Sequence, residues 1–454
     1  MKWLEAFKPC FGHRAQVLAL RRYVQGLLSD STRKSMEAML ARVTDPGSYQ
    51  AFQHFITDAP WKAEQVWRQL RTLIPEREGL LIFDGTSFPK QGTASVGVAR
   101  QYCGALGKIA NCQVATTVAL WTQVRAYVLG AALYLPEDWL TDAARERARI
   151  LKPVRFQEKW RQAVTLLRKV RASGFTVTGV LADAEFGDVG LFRAFLHRLR
   201  LPYAVGISSN LTVFLGSPGL VWPTGGSRGR PRKHPELAAG VKAIPVSRVM
   251  ATAKRRWQQI SWRNRRDTRR WTVNCAAMRV TPAHDWRHRR LAPEVWLLIE
   301  QDAGDTPKTK YYFVNLPATA TLRRIVRFAH QRWAIEQQYQ ELKTELGLDH
   351  FEGRTFPGWH HHVVLTGIAF TPAASSGCFR GRPRALRVCQ TSWGEPRNTV
   401  TFDEMPTAYD RRSRCKKARN RPTSPNSASA RTPVTVKPLA RTSRKSVKAC
   451  RHFS

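Results

Sequence analysis

The sequence predicts an α/β protein: a mixed-sheet core with an inserted β-rich subdomain, preceded by a helical N-terminal domain. Three observations lead there. Apolar residues keep a helical spacing over roughly the first 76 positions. The period then changes to short apolar runs ending in Asp or Gly, first strands alone and then strands alternating with helices. A basic stretch from 208 to 293, rich in Gly, Pro, Arg and Trp, interrupts the alternation before it resumes. With 454 residues, 43% of them hydrophobic, the chain is too long for one ordinary core and apolar enough for most of it to fold.

Each element follows from local pattern. Val17, Leu18, Leu20, Tyr23, Val24, Leu27 and Leu28 recur at helical spacing. Ser29-Asp30-Ser31 reads as a stop and a new N-cap, after which Met36, Met39 and Leu40 continue the pattern. A further helix is expected from Trp61 to Leu73, ending before Pro75, so residues 1–76 form the helical domain. Leu80-Leu81-Ile82-Phe83 running into Asp84-Gly85 predicts a strand and a turn. Strands are expected over Val96–Tyr102, Cys112–Trp121 and Val124–Leu135, together an antiparallel meander. A helix over Arg145–Val170, interrupted near Pro153, leads to a strand Val177–Ala182 ending at Asp183. A helix Val189–Leu199 and a strand Tyr203–Ile207 close this first core segment, residues 77–207. In the insertion, 208–293, short β pieces fall at Val241–Val246, Trp257–Trp262 and Trp271–Val280. The second core segment, 294–370, holds strands Glu294–Glu300 and Lys310–Leu316 and a long helical stretch, Thr321–Leu346.

After Phe370 the character breaks. Residues 371–454 carry 19 Lys and Arg against 4 Asp and Glu, with no sustained period, and read as a basic low-complexity tail. It is either disordered or the translation of a shifted frame. The abrupt end of the apolar helix begun at His361-His362-Val363-Val364-Leu365 favours the shifted frame.

Composition narrows the partners. Lys+Arg is 74 against Asp+Glu 33, a net charge of +41. Such an excess calls for a polyanion, and nucleic acid comes first because neutralising phosphates releases counterions. An anionic membrane surface is weakened as an alternative by the lack of any apolar stretch of about 18 residues. Met1–Arg22 has no long apolar segment of the kind a secretory signal needs. The 8 cysteines form no Cys-x-x-Cys pair, which argues against zinc and disulfide frameworks and for free thiols in a reducing cytoplasm.

The chemistry rests on carboxylates. Asp84 and Asp183 each end an apolar strand, where a side chain projects from a sheet edge, and Glu336 lies on the long helical stretch. Three carboxylates can hold two hard divalent cations, which stabilise the attacking and leaving oxygens of an in-line phosphoryl displacement. Arg332, Glu336, Tyr339 and Lys343 are spaced 4, 3 and 4 apart and share one helix face at about 100° per residue. That face suits a grip on phosphates around a scissile bond; the plainer reading is a solvated Arg332–Glu336 pair.

Several blocks carry a resemblance. Phe83-Asp84-Gly85-Thr86-Ser87-Phe88-Pro89-Lys90-Gln91-Gly92, Ser95–Gly104 and Leu106–Val114 together resemble the first-aspartate block of bacterial insertion-sequence transposases of the seven-hundred-and-one branch, with its DDE superfamily endonuclease domain. Val180–Gly187 resembles the second-aspartate block, and Arg332-x-x-x-Glu336-x-x-x-x-x-x-Lys343 the Tyr-x-x-Arg-x-x-x-Glu-x-x-x-x-x-x-Lys signature of the wider group. Asp349–Arg354, Gly358–His362 and Arg33–Glu37 fit as well, so the likeness covers roughly residues 15–370. It implies an RNase H-like catalytic core interrupted by a β-rich insertion. It implies that Asp84, Asp183 and Glu336 are catalytic and bind two Mg2+ or Mn2+ ions, with Arg332 and Lys343 holding the transposon end. Ala329 stands where the signature has Tyr, a role that Tyr339 could supply.

Three further features bear on DNA. Arg228-Gly229-Arg230-Pro231-Arg232-Lys233 matches the core of a minor-groove hook, or else is a basic loop touching phosphates. Trp262, with Trp257 and Trp271, supplies either a stacking wedge for an unpaired base or the core of a small β unit. His360-His361-His362 point in different directions on a helix and so take a packing or backbone-contact role rather than sharing one ion. The expected function is metal-dependent cleavage at transposon ends followed by transfer of the 3′-OH into target DNA. The expected partners are double-stranded DNA (terminal inverted repeats and target) and a second copy of the chain on that DNA, with no membrane, in a bacterial cytoplasm at the nucleoid. A catalytically inactive DNA-binding repressor and a general RNase H-like nuclease are the rival readings.

Overall fold

The computed structural model describes residues 2–222, 234–252, 257–263, 270–283, 291–301 and 308–376. The basic hook at 228–233 and the tail beyond 376 lie outside the described residues. A 3₁₀ helix (Lys2–Cys10) and four α-helices precede the first strand: α1 (Arg14–Leu27), α2 (Met36–Leu40), α3 (Tyr49–Thr57) and α4 (Ala63–Leu73). The cap of α2 is Ser35, not Ser29–Ser31: its hydroxyl accepts the Ala38 amide at 3.3 Å, as Ser48 accepts Ala51 at 3.1 Å for α3.

The core follows in order as β1 (Glu78–Pro89), β2 (Ala99–Cys103), β3 (Lys108–Trp121), β4 (Ala126–Leu133), α5 (Asp142–Ala148), α6 (Lys159–Ala172), β5 (Thr176–Ala182), α7 (Ala184–Gly187), α8 (Gly190–Arg198) and β6 (Tyr203–Ile207). β2 and β4 both pair antiparallel with β3, but one after the other along the same edge, β2 at Lys108–Cys112 and β4 at Ala115–Trp121, because β1 pairs antiparallel along the other edge; the expected three-strand meander is not formed. β5 runs parallel to β1, and β6 parallel to β5. The resulting order β4-β3-β1-β5-β6, with β3 alone reversed, is the RNase H-like arrangement.

β7 (Thr212–Leu215), β8 (Leu220–Val221), β9 (Glu236–Leu237), β10 (Ile244–Pro245), α9 (Val246–Thr252), β11 (Gln258–Arg263) and β12 (Arg270–Pro282) come from the basic segment. β13 (Val295–Gln301) and β14 (Thr309–Val314) follow it. β14 pairs with β6, and β13, β12, β7 and β10 succeed it outward, so the segment's strands extend the core sheet to 12 strands. Among the described residues only β8 and β9 pair apart, with each other.

Strand alternation gives the sheet two apolar faces. Leu81 and Phe83 turn towards Val164 and Leu167 of α6 and Phe192 and Phe195 of α8. Leu80, Ile82 and Leu181 turn towards the other layer, which holds α10 (Leu322–Ala329), α11 (Trp333–Thr344) and α12 (Phe356–Ser376). The N-terminal helices share that same core through Leu20, Tyr23, Trp67 and Leu70. Among the described residues no helix is long and apolar enough to cross a membrane.

Candidate active site

Ile82 is the last β1 residue paired with β5, opposite Leu181. Two residues further along each strand stand Asp84 and Asp183, and side chains two apart share a face. The carboxylates therefore stand side by side where the pairing of two neighbouring parallel strands, about 4.8 Å apart, comes to an end; β5 stops there, whereas β1 runs on through Asp84-Gly85 to Pro89 in place of the expected turn. They emerge on the face that Ile82 and Leu181 present to α10–α12. β3 still pairs with β1 there, Asp84 opposite Thr117, and keeps the strand extended past the end of β5. Asp183 caps α7 by accepting the Glu185 amide at 3.0 Å. A close approach pins α7 to the sheet: a Cβ on Gly187 would stand 1.8 Å from the Gly206 carbonyl oxygen of β6, so only glycine fits.

The helical stretch expected over Thr321–Leu346 is broken. α10 ends at Ala329, a 3₁₀ turn spans His330–Arg332, and α11 begins at Trp333. His330 Nε2 meets Oε1 of the buried Glu300 at 2.9 Å, which ties the turn to β13. The next residues carry the third acid to the first. The Arg332 guanidinium donates to Asp84 Oδ1 at 3.1 Å and to Glu336 Oε1 at 2.7 Å. Asp84 is the more enclosed of the two, its side chain 14% exposed against 63% for Glu336.

Electrostatics follow from this enclosure. Burial pushes the Asp84 carboxyl up to about 7; Arg332 pulls it down, while Asp183, Glu336 and Glu185 add repulsion. Burial likewise raises Asp183, against the pull of Arg332. Arg332 itself is held charged: burial opposes its charge, but Asp84, Glu336 and Asp183 outweigh that and raise it. Tyr339 is buried, and its hydroxyl has no hydrogen-bond partner among the described residues. Burial first, then the negative field of Asp84 and Asp183, raises it far above the ordinary phenol range. Lys343 reaches β1 just past Asp84, donating to the Ser87 carbonyl at 3.2 Å with its ammonium 5.7 Å from the Phe88 ring centre. Burial lowers its pKa.

Asp84, Asp183, Glu336, Arg332, Tyr339 and Lys343 thus share one neighbourhood. Trp262 stands apart, half-buried, its ring 4.5 Å from that of His330, two residues before Arg332. Arg228, Arg230, Arg232 and Lys233 lie outside the described residues. The histidine run packs: His361 places its ring nitrogens 2.8 Å from the Ile56 and Trp61 carbonyls, and His362 bridges Tyr23 and Gly347. Sequence reasoning missed Glu185, which pairs with Lys159 of α6. A Cβ on Gly85 would meet Glu185 Oε2 at 2.6 Å, so the glycine beside Asp84 makes room for this fourth carboxylate. Its signal lay within the second-aspartate block, two residues after Asp183. Among the described residues no group of three or more His, Cys, Asp or Glu side chains is arranged around a single ion position.

Comparison with known proteins places the sequence in a family. The family described as DDE superfamily endonuclease matches residues 6–269, a span that includes Asp84 and Asp183 but not Glu336. A probable transposase for insertion sequence element IS701 from Microchaete diplosiphon is 30% identical over 215 residues, 46% of this chain and 53% of that one. The chain thus spans about half the length of this curated relative. A cryo-EM structure of a piggyBac transposase synaptic complex with hairpin DNA aligns over 86% of this chain and 78% of its own, at 11% identity and a TM-score of 0.38. More than half of the sequence matches the family description, and the chain belongs to the DDE superfamily endonucleases.

Proposed function

We propose that this chain is a DNA transposase that cleaves the ends of a mobile element and joins the freed 3′-OH to target DNA. The observation that carries the reading is the meeting of Asp84, Asp183 and Glu336 around Arg332 at the carboxyl edge of an RNase H-like sheet. The donor chemistry fits a divalent metal. All three are hard oxygen ligands, and the Asp84 carboxyl stands at about 7 because burial and three neighbouring acids oppose its charge, a penalty that a cation would relieve. Asp84, Asp183 and Glu336 would hold Mg2+ or Mn2+, two ions in the full expectation, and the bound metal would supply Lewis-acid stabilisation of the phosphoryl oxygens.

The chain's own residues account for the rest. Arg332 fixes the relative positions of Asp84 and Glu336 and keeps a permanent positive charge where phosphate oxygens approach. Tyr339 offers a buried hydroxyl proton with no partner among the described residues, suited to a substrate oxygen. Lys343, anchored on Ser87, adds a second cation next to β1. Pairing two element ends calls for two copies of the chain on DNA.

The test is Asp84→Asn, which keeps the side-chain shape and removes the charge. End-containing DNA incubated with Mg2+ or Mn2+ is expected to be cut by the wild type and left intact by the variant, with DNA binding retained. Equal cutting by both would remove Asp84 from the site. Binding without cutting by the wild type would favour a DNA-binding repressor.

A further inference from the structure

We propose that the groove between α6 and α8, on the sheet face opposite α10–α12, is a track for the phosphate backbone of duplex DNA leading away from the carboxylate site. The inference rests on the transposase reading for its ligand and adds a surface that the reading does not use. α6 begins at the active site: its first residue, Lys159, pairs with Glu185, which sits against Gly85 beside Asp84. From there Arg161, Arg168 and Arg171 stand exposed along the helix. Arg161 and Arg171, on the groove side of α6, are 10 residues apart, about 15 Å at 1.5 Å per residue. That length matches about four phosphates of one strand at 3.4 Å each.

The groove is built from cations on an apolar floor. Arg198 of α8 faces Arg168 of α6 across Phe195, their guanidiniums 5.6 and 5.4 Å from that one ring centre. Val164, Leu167 and Leu199 complete the floor. Arg161 is neutralised by Glu158. Among the described residues Arg168, Arg171 and Arg198 have no ion pair, and no carboxylate lines the groove. A solvated helix face usually intersperses both signs; here like charges converge on one ring, a cost that a polyanion offsets. Guanidiniums held near an aromatic ring with no carboxylate partner keep N–H donors for phosphate oxygens.

The test measures affinity of the full chain for a 30-base-pair duplex of arbitrary sequence as salt is raised. Each lost phosphate contact lowers the slope of log K against log salt by about 0.9. Arg168→Glu with Arg198→Glu is expected to lower the slope by about 2 and to weaken binding at 0.1 M salt by about tenfold to a hundredfold. Arg168→Lys with Arg198→Lys is expected to keep the slope. Arg171→Glu, which disturbs no ring contact in the groove, is expected to lower it by about 1 and gives a reading even if the double charge reversal fails to fold. Wild-type slope and affinity in Arg171→Glu, or in a folded double-glutamate variant, would overturn the track while leaving the catalytic reading intact. No duplex binding by the wild type would overturn both.

Discussion

Gly187→Ala adds one methyl group at the point where α7 meets the sheet. The new carbon would stand 1.8 Å from the Gly206 carbonyl oxygen, about half the 3.4 Å at which ordinary contact begins, and 3.0 Å from Val205 Cβ. β6 cannot yield, because it is paired with β5 on one edge and β14 on the other. The short helix must therefore lift. Its first carbonyl bond, Gly187 N to Asp183 O at 2.9 Å, links it directly to the second carboxylate. Overpacking of this kind costs about 1–3 kcal/mol, and a rigid backbone oxygen places the change at the upper end, about 3 kcal/mol. Displacing Asp183 by about 1 Å would lower cleavage by roughly a hundredfold. Urea unfolding reads the first effect, and cleavage of end-containing DNA at saturating protein reads the second. An alanine variant within about 0.5 kcal/mol of wild type that also cuts at the wild-type rate would refute the account of how Asp183 is held.

Two further outcomes follow from the charges. In Arg332→Gln the group that pulls the Asp84 carboxyl down is gone. The acid limb of the cleavage pH profile is expected to move upward and the maximal rate to fall by about a hundredfold; an unmoved limb would show that Arg332 does not act on Asp84. His362 is buried, and desolvation lowers its pKa from 6.5 to about 4, so the unfolded chain takes up its proton first as pH falls. Its contribution is fully present above about pH 6.5 and is lost progressively towards pH 4, on the order of 3 kcal/mol in all. Urea midpoints for wild type and His362→Gln should therefore converge over that window, and a constant gap would rule the histidine out.

Both proposed catalytic aspartates were legible in the sequence because an acid that closes an apolar run is a local property, although only β5 ends there and β1 runs on past Asp84 to Pro89. Leu80–Phe83 and Val180–Ala182 are apolar runs that stop at an acid, and one register, Ile82 opposite Leu181, is enough to set the two acids side by side. Contacts made across elements were not legible. The break at His330–Arg332 contains neither proline nor glycine; the long-range pairs His330–Glu300 and Arg332–Asp84 accompany it. The strands of the basic segment look like short isolated pieces, and only pairing from β6 through β14, β13 and β12 shows that they continue the core sheet. Val246, read as the end of a strand, instead opens α9. Glu185 was hidden for the same reason: its significance lies in the space above Gly85, about a hundred positions earlier in the chain.

The charge distribution poses a problem that the fold resolves by separation. A chain of net charge +41 suits a polyanionic partner, yet its proposed catalytic centre is a patch of four acids that repels phosphate. The sheet edge places these opposing needs close together without letting them cancel. Asp84 and Asp183 open on the α11 face, where Arg332 is inserted among them. On the α6 face the exposed guanidiniums of Arg168, Arg171 and Arg198 form no ion pair among the described residues. Lys159 and Glu185 form the seam between the two, each neutralising the other. Coulomb interactions at a wet surface are screened within about 10 Å, so a phosphate held in the groove feels mainly the arginines, while one drawn over the edge meets the acids. In the proposed reaction, affinity and chemistry are therefore carried by different side chains. That is why Asp84→Asn should abolish cutting without loosening DNA, and the groove variants should loosen DNA through the salt dependence of binding.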